Sequence, residues 1–239
     1  MKTSDQSQIA YARLAGFMYL FVDVAYMAGM SIIGRFIVAG NAAATGERII
    51  AAESLYRTGL ASTFLGALCT VFLAIGLYGT LKAVNKDLAL FAFAFRLVEA
   101  VVFAVGSIFS FVVFMKLYIA AGRGDASAAH LLSVFAGSGG ATSSPIFNIA
   151  AIFFSIGSIL FFYLFLKTNY IPRVLSVLGL VGSALVPIIG FGILIFPQRG
   201  AILQFGWIPI GVAEIVVGFL LLIKGVNLQP RDSGYAVVA

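Results

Sequence analysis

The amino-acid sequence predicts an all-α membrane protein, a polytopic transmembrane bundle of six helices with a short interfacial helix between the first and the second. Of the 239 residues, 62% are hydrophobic and 10% are charged, whereas an average soluble domain is about 45–50% apolar and about 25% charged. Six apolar stretches have the length of about 20 residues with which a helix crosses a bilayer. Basic residues or clusters of Gly, Pro and Asn bound each stretch. These three observations exclude a soluble fold.

The first predicted span is Leu14–Gly34, which follows Lys2 and Arg13. It is too long for the apolar region of a signal peptide, which has about 7–15 residues, so we expect a retained helix. The other five spans are, in order, Thr58–Leu81, Leu88–Met115, Ile146–Leu166, Val174–Phe196 and Ala201–Ile223. Four of these spans are bounded at both ends, in order by Arg57 and Lys82, by Lys86 and Lys116, by Pro145 and Lys167, and, for the last span, by Arg199 and Lys224. The span Val174–Phe196 begins directly after Arg173.

The loop between the first two spans predicts a helix at the membrane surface. Ile49, Ala52 and Tyr56 recur at helical spacing, which places them on one apolar face. Glu53 precedes Arg57 by four residues, a spacing at which opposite charges stabilise a helix. We therefore expect a short interfacial helix that leads into the second span.

An even number of spans places both chain ends on one side of the membrane. Eight Lys and Arg residues flank the spans on that side and six on the other, where the loops are long and positive charge influences orientation less. We expect a plasma-membrane protein with both termini in the cytoplasm. Residues 1–228 are predicted to form a single transmembrane domain and residues 229–239 a flexible tail. The net charge of +6 then anchors helices to lipid headgroups and does not indicate nucleic-acid binding.

Four ionisable residues lie deep inside predicted spans: Asp23, Arg96, Glu99 and Glu214. With a rise of about 1.5 Å per residue, each lies about 12–16 Å from the end of its helix nearest the termini. An isolated charge near the bilayer centre opposes insertion by about 2.5–3.5 kcal/mol, so the four side chains are expected to meet. Arg96 and Glu99 are three residues apart on one helix face and are able to pair directly.

The predicted cluster has one cation and three carboxylates, so its net charge with all groups ionised is −2. A desolvated site of that charge either binds cations or holds protons. Pro187, Pro209 and Gly211 free backbone carbonyls at membrane depth and favour a cavity. The candidate lining residues of that cavity are Asn148, Ser155 and Ser158. The alternative for the two serines is a hydrogen bond from the hydroxyl to the backbone of their own helix, which is common in such helices.

Three functions fit these residues. The first is a small carrier or channel-like protein whose midplane site binds a proton, a cation or an amine, with a small amphipathic ligand as a further candidate partner. The second is a structural or partner membrane protein, in which Arg96 clamps two carboxylates as a polar latch between helices. The third and least favoured is an intramembrane lipid-modifying enzyme with a carboxyl group as general acid. One histidine and one cysteine supply no zinc spacing, so we expect no metal and no cofactor.

Four motifs resemble those of a known family. They are Arg13-Leu14-Ala15-Gly16 with Tyr19, the stretch Ala42–Leu60 ending in Leu-Tyr-Arg-Thr-Gly-Leu, Asn85-x-x-Leu88-Ala89-Leu90 with Arg96-Leu97-x-Glu99-Ala100, and Tyr170-Ile171-Pro172-Arg173-Val174-Leu175. In this order they resemble the integral membrane proteins of bacteria and archaea grouped as domain of unknown function 4386, over residues 13 to about 215. The stretch Gly122–Ser144 matches less well. The resemblance implies a six-helix bundle and adds no chemistry.

Overall fold

The computed structural model describes residues 3–135, 145–196, 199 and 203–226, and within these ranges it contains no strand. The predicted tail at 229–239 lies outside them. The helices are α1 Thr3–Gly34, α2 Ala42–Ala51, α3 Glu53–Leu81, α4 Lys86–Phe109, α5 Met115–Gly122, α6 Ala126–Phe135, α7 Pro145–Leu166, α8 Arg173–Ile195 and α9 Ile208–Lys224, with a π-helical turn Ser110–Phe114 and a 3₁₀ turn Gln204–Trp207.

The prediction of six membrane-spanning helices is confirmed. Among the described residues, the helices long and apolar enough to cross a bilayer are Gln6–Gly34, Glu53–Leu81, Lys86–Gly122, Ile146–Leu166, Arg173–Ile195 and Phe205–Lys224. Gly225, just after the last span, packs beside Ile9 near the start of the first. Both described ends therefore lie on one side, which we call the terminal side, and the opposite side is the distal side.

The interfacial helix α2 is confirmed, but it is shorter than the periodicity suggested. The side chain of Asn41 accepts a hydrogen bond from the N–H of Ala44 and caps its start. Ala52 leaves the helical region with φ −145° and ψ 53°, so α2 ends at Ala51 and Tyr56 belongs to α3. The bend at Ala52 separates the surface helix from the span that enters the membrane.

The third span is longer than the predicted Leu88–Met115. The Asn85 side chain accepts a hydrogen bond from the Leu88 N–H at its start, and the helix continues through the π turn to Gly122, for 37 residues. A helix of that length is about 55 Å long, which exceeds the roughly 30 Å hydrocarbon core. Its distal end therefore projects into the headgroup region.

The six spans pack as a closed ring. Along this ring α1 contacts α3, α3 contacts α4, α4 contacts α7, α7 contacts α8, α8 contacts α9, and α9 returns to α1. Glycine permits the closest approach of α1 to its neighbours, because a Cβ at Gly16 would collide with the backbone at Gly218 and Leu222 of α9. A Cβ at Gly76 of α3 would lie 2.8 Å from the backbone nitrogen of Ala15. This packing brings midplane residues of different helices together.

Candidate functional site

An ion pair on α4 forms the centre of the candidate site. Nη1 of Arg96 lies 3.1 Å from Oε2 of Glu99, and the side chains are 3% and 4% exposed. The two residues follow each other at i and i+3, so one turn of helix holds both charges on the face that points into the bundle. This is the direct pairing that the sequence spacing predicted.

The other two predicted residues approach this pair from α1 and α9. Glu214 of α9 is 7% exposed and interacts electrostatically with Asp23, Arg96 and Glu99. Asp23 of α1 interacts with Arg96, and it is half-buried, whereas the other three are buried. The structure thus brings all four predicted residues into one electrostatic cluster, which we call the acidic cluster.

Glycines explain how the backbones come close enough to assemble the acidic cluster. Gly218 lies one turn beyond Glu214, and a Cβ there would be 3.0 Å from Cδ2 of Leu20 on α1. On the other side of the cluster, a Cβ at Gly157 of α7 would lie 2.9 Å from Cγ of Arg96. The aliphatic stem of Arg96 therefore packs directly on the α7 backbone, which fixes the guanidinium in place.

Aromatic rings close the distal side of the acidic cluster. The guanidinium carbon of Arg96 lies 4.7 Å from the centre of the Phe154 ring, within the range of a cation–π interaction. From Phe154 a chain of ring contacts continues to Trp207 at 5.9 Å and to Phe147 at 5.5 Å. It then reaches Phe103 at 5.9 Å. The last ring is Tyr26, 5.0 Å from Phe103, so rings from α1, α4, α7 and the 3₁₀ turn are linked in one layer.

Several buried polar atoms of the acidic cluster have no hydrogen-bond partner among the described residues. They are Oδ2 of Asp23, Oε1 of Glu214, Oε2 of Glu99, and Nε and Nη1 of Arg96. The ion pair therefore holds by charge and proximity, without an aligned hydrogen bond. One guanidinium lies within electrostatic range of three carboxyl groups and forms an ion pair only with Glu99. The cluster therefore contains acceptor oxygens that its own cation does not satisfy, and these oxygens are available to protons or to a bound cation.

The predicted cavity-lining residues are buried on α7, with Asn148 and Ser155 0% and Ser158 1% exposed. The hydroxyl of Ser155 donates to the carbonyl of Ile152 at 2.7 Å, the local bond that competes with a role in ligand binding. Two concavities stand out among the described residues, and neither is lined by these three side chains or by the acidic cluster. A cavity at the midplane stays a prediction.

Sequence reasoning missed the tyrosines and the aromatic layer. Tyr19 is 2% exposed and interacts electrostatically with Glu214, Arg96 and Asp23. A signal for it was present, because Tyr19, Asp23 and Tyr26 recur at i, i+4 and i+7 and share one face of α1. Trp207 carried no such signal, since its place in the site depends on contacts between different helices.

Comparison with family models matches residues 14–225 to the family described as "Domain of unknown function (DUF4386)". Comparison with curated proteins and with solved structures gives no significant match. The matched residues include all four charges of the acidic cluster, and they cover most of the chain. The six apolar helices establish a multi-pass membrane protein. The resemblance read from the four motifs is therefore confirmed, and this integral membrane protein belongs to the DUF4386 family.

Proposed function

We propose that the protein is a small carrier or channel-like protein of the plasma membrane, with both termini in the cytoplasm, whose acidic cluster binds a proton. One observation carries this proposal: carboxyl groups from α1, α4 and α9 lie within electrostatic range of the single guanidinium of Arg96, only that of Glu99 forms an ion pair with it, and acceptor oxygens are left over. With all groups ionised, Asp23, Glu99 and Glu214 together carry two more charges than Arg96 balances. A buried charge of −2 is compensated by protons or by a bound cation.

Packing around Arg96 favours the proton over a larger cation or an amine. The stem of Arg96 rests on Gly157 and its guanidinium rests on Phe154, so the centre of the site is filled by the protein's own atoms. A proton needs no volume. Asp23 is the half-buried member of the cluster, so it is the outermost of the three carboxyl groups that share the proton in this proposal.

Proton flux into vesicles tests the proposal. The purified protein is reconstituted into vesicles that contain a pH-sensitive dye, and a membrane potential is imposed with potassium and valinomycin. We expect the wild type to acidify the lumen and Glu214→Gln and Asp23→Asn to lose most of this flux. Asp87→Asn is the matched control, because Asp87 is an exposed carboxylate in the first turn of α4. Equal flux in all four proteins contradicts the proposal.

The same vesicles distinguish the other cargoes. A gradient of sodium, potassium or a small amine such as methylamine replaces the membrane potential as the driving force. A dye response that follows one of these gradients and is lost in Glu214→Gln assigns the acidic cluster to that cation. A response to the potential alone assigns it to the proton.

A second function is favoured by a specific observation, the enclosure of Arg96, which is 2% exposed. In this alternative the acidic cluster is a latch that joins α1, α4 and α9, and nothing is transported. The two functions differ in their response to Glu214→Gln. A latch loses thermal stability and has no flux to lose, whereas a carrier loses flux while the fold is retained.

A further inference from the structure

An apolar groove opens on the outer surface of the bundle, between α4 and α7 on the distal half. It has a volume of about 420 Å³ and only apolar surface. Exposed Val101, Val105, Phe109 and Val113 form one wall. Gly106 is buried at the contact of α4 with Ile146 of α7, where a Cβ would collide with the Ile146 side chain, so these two residues meet at the bottom of the groove. At this depth the groove faces lipid.

A second, polar concavity follows at the distal end of the same helix. Its volume is about 410 Å³, and it is lined by Lys116, Ile119, Ala120, Arg123 and Asp125. Lys116 and Arg123 are both exposed and are separated by seven residues, so they lie two turns apart on one face. They are the first two cations after the apolar stretch of this span.

The two concavities follow one another along the Lys86–Gly122 helix and the residue that follows it, and we call the residues of this helix that line them the stripe. The stripe advances by four and three residues in alternation, through Val102, Gly106, Phe109, Val113, Lys116, Ala120 and Arg123. This spacing keeps side chains on one face within each α-helical part, and the π turn Ser110–Phe114 joins the two parts. The apolar part from Val101 to Val113 is about 18 Å long at 1.5 Å per residue, close to half of the roughly 30 Å hydrocarbon core. The stripe thus has the dimensions of one lipid chain with its headgroup.

We propose that this stripe binds an anionic phospholipid, with one acyl chain in the apolar groove and the phosphate between Lys116 and Arg123. Charge complementarity sets the class of lipid. Asp125 is the one carboxylate of the polar concavity, and its Oδ1 accepts hydrogen bonds from the N–H groups of Ser127 and Ala128 at 2.9 and 3.1 Å. Two cations and this capping carboxylate leave a net charge of +1, which matches a phosphodiester with a single negative charge.

The single tryptophan of the chain provides the readout. The Trp207 ring lies 5.5 Å from the ring of Phe147, which directly follows the groove residue Ile146. Quenching of Trp207 by a brominated acyl chain therefore reports occupancy of the groove. The protein is reconstituted in phosphatidylcholine vesicles that contain brominated phosphatidylglycerol or brominated phosphatidylcholine with the same chains, at equal mole fractions. We expect phosphatidylglycerol to bind about five-fold more tightly, as one net basic charge near an anionic headgroup predicts.

Two variants separate the headgroup contact from general surface charge. Lys116→Ala with Arg123→Ala should bring the preference for phosphatidylglycerol down to parity. Arg35→Ala with Arg199→Ala is the matched control, because it removes two exposed cations outside the stripe, and it should keep the preference. Parity in the wild type, or a preference that survives the first double variant, overturns the proposal. Loss of the preference in both double variants also overturns it, since the effect is then one of surface potential.

A third variant tests the apolar part. Val105→Phe leaves every charge in place and fills the groove at an exposed position. We expect it to reduce the quenching by brominated phosphatidylglycerol several-fold, with the thermal unfolding of the protein unchanged. Unaltered quenching shows that the chain does not lie in the groove, and the proposal is then wrong.

Discussion

Arg96 is the residue on which the acidic cluster depends. Among the described residues it is the only Lys or Arg that is buried, and it interacts with both Glu99 and Glu214. A guanidinium presents five donors in a planar fork and stays charged in a protein interior. A single arginine is therefore able to serve carboxylates that come from different helices.

The consequence is an asymmetry between two substitutions. Arg96→Ala strands the carboxylates without a cation and should destabilise the protein by about 3–5 kcal/mol, as broken buried pairs do. Asp23→Asn removes one excess negative charge and should cost less. Thermal unfolding in detergent compares the two variants directly. Equal losses, or a larger loss for Asp23→Asn, would show that Arg96 does not hold the cluster together.

Glu99→Gln is expected to separate stability from proton binding. The amide has nearly the shape of the carboxyl group, so the fold should persist with a loss of about 1–3 kcal/mol from the broken pair with Arg96. Emission of Trp207, which contacts Phe154 beneath the guanidinium, should depend on pH in the wild type and change its pH profile in the variant. Unchanged emission profile, flux and melting temperature together would remove Glu99 from the site.

The candidate site was predictable from the sequence only in part. Asp23, Arg96, Glu99 and Glu214 were found because a charge at membrane depth is costly and must be explained, and depth can be counted along each helix. The sequence did not distinguish Phe154 from the other phenylalanines, of which the chain has 23 in all, because only the packed structure shows which phenylalanine contacts Arg96. That is a property of helix rotation and packing, which periodicity leaves open in a helix that is apolar on all sides.

At the scale of elements, the distal side is built around close contact between α2 and α5. A Cβ at Gly46 of α2 would collide with the carbonyl oxygen of Tyr118 and lie 2.6 Å from the backbone nitrogen of Gly122. The same steric constraint applies to Gly122, because a Cβ there would lie 2.5 Å from the carbonyl carbon of Gly46. The surface helix is thus fixed to the projecting end of the third span through backbone contact.

This contact predicts opposite effects for two Gly→Ala substitutions. Gly46→Ala forces the α2 and α5 backbones apart and should destabilise the protein by about 1–3 kcal/mol. Gly211→Ala is the matched control in α9, where a Cβ has nothing within 4 Å and alanine should be neutral or stabilising by about 0.5–1 kcal/mol. Melting temperatures in detergent decide. Equal tolerance of both alanines would mean that α2 does not pack on α5 in the protein.

Element boundaries show why the sequence could not supply this packing. Ile49, Ala52 and Tyr56 fit one helical face, yet Ala52 is where the chain bends. Alanine is a good helix former, so nothing local predicts a break there. The contact of Gly46 with α5 requires the bend, and it joins residues more than 70 positions apart. Long-range packing overrides local preference at this point.

At the scale of the whole molecule, the ring of spans is packed differently on its two sides. The terminal half contains large side chains with less than 2% exposure, among them Leu77, Leu81, Phe162, Phe165 and Leu221. The distal half contains the aromatic layer, the half-buried Trp207 and the open groove along α4. The aromatic layer thus lies between the acidic cluster and the distal side.

Orientation in the membrane decides which compartment that side faces, and labelling of single cysteines measures it. Ala83 lies in the exposed turn between α3 and α4, and Ser127 is exposed on α6. The Lys86–Gly122 helix crosses the membrane between them, so the two positions lie on opposite faces. The natural Cys69 is 8% exposed and lies inside a span. Labelling of the wild-type protein measures how much this cysteine contributes to the signal.

With the termini in the cytoplasm, Ser127→Cys should react with an impermeant maleimide in intact cells, and Ala83→Cys only after the cells are made permeable. Both substitutions are small and leave the caps at Asn85 and Asp125 in place, so folding should be preserved. If only residue 83 is labelled in intact cells, the orientation is the opposite of the one proposed, and the distal side faces the cytoplasm. Labelling of both residues from one face would contradict the crossing of the third span, and with it the ring that assembles the acidic cluster.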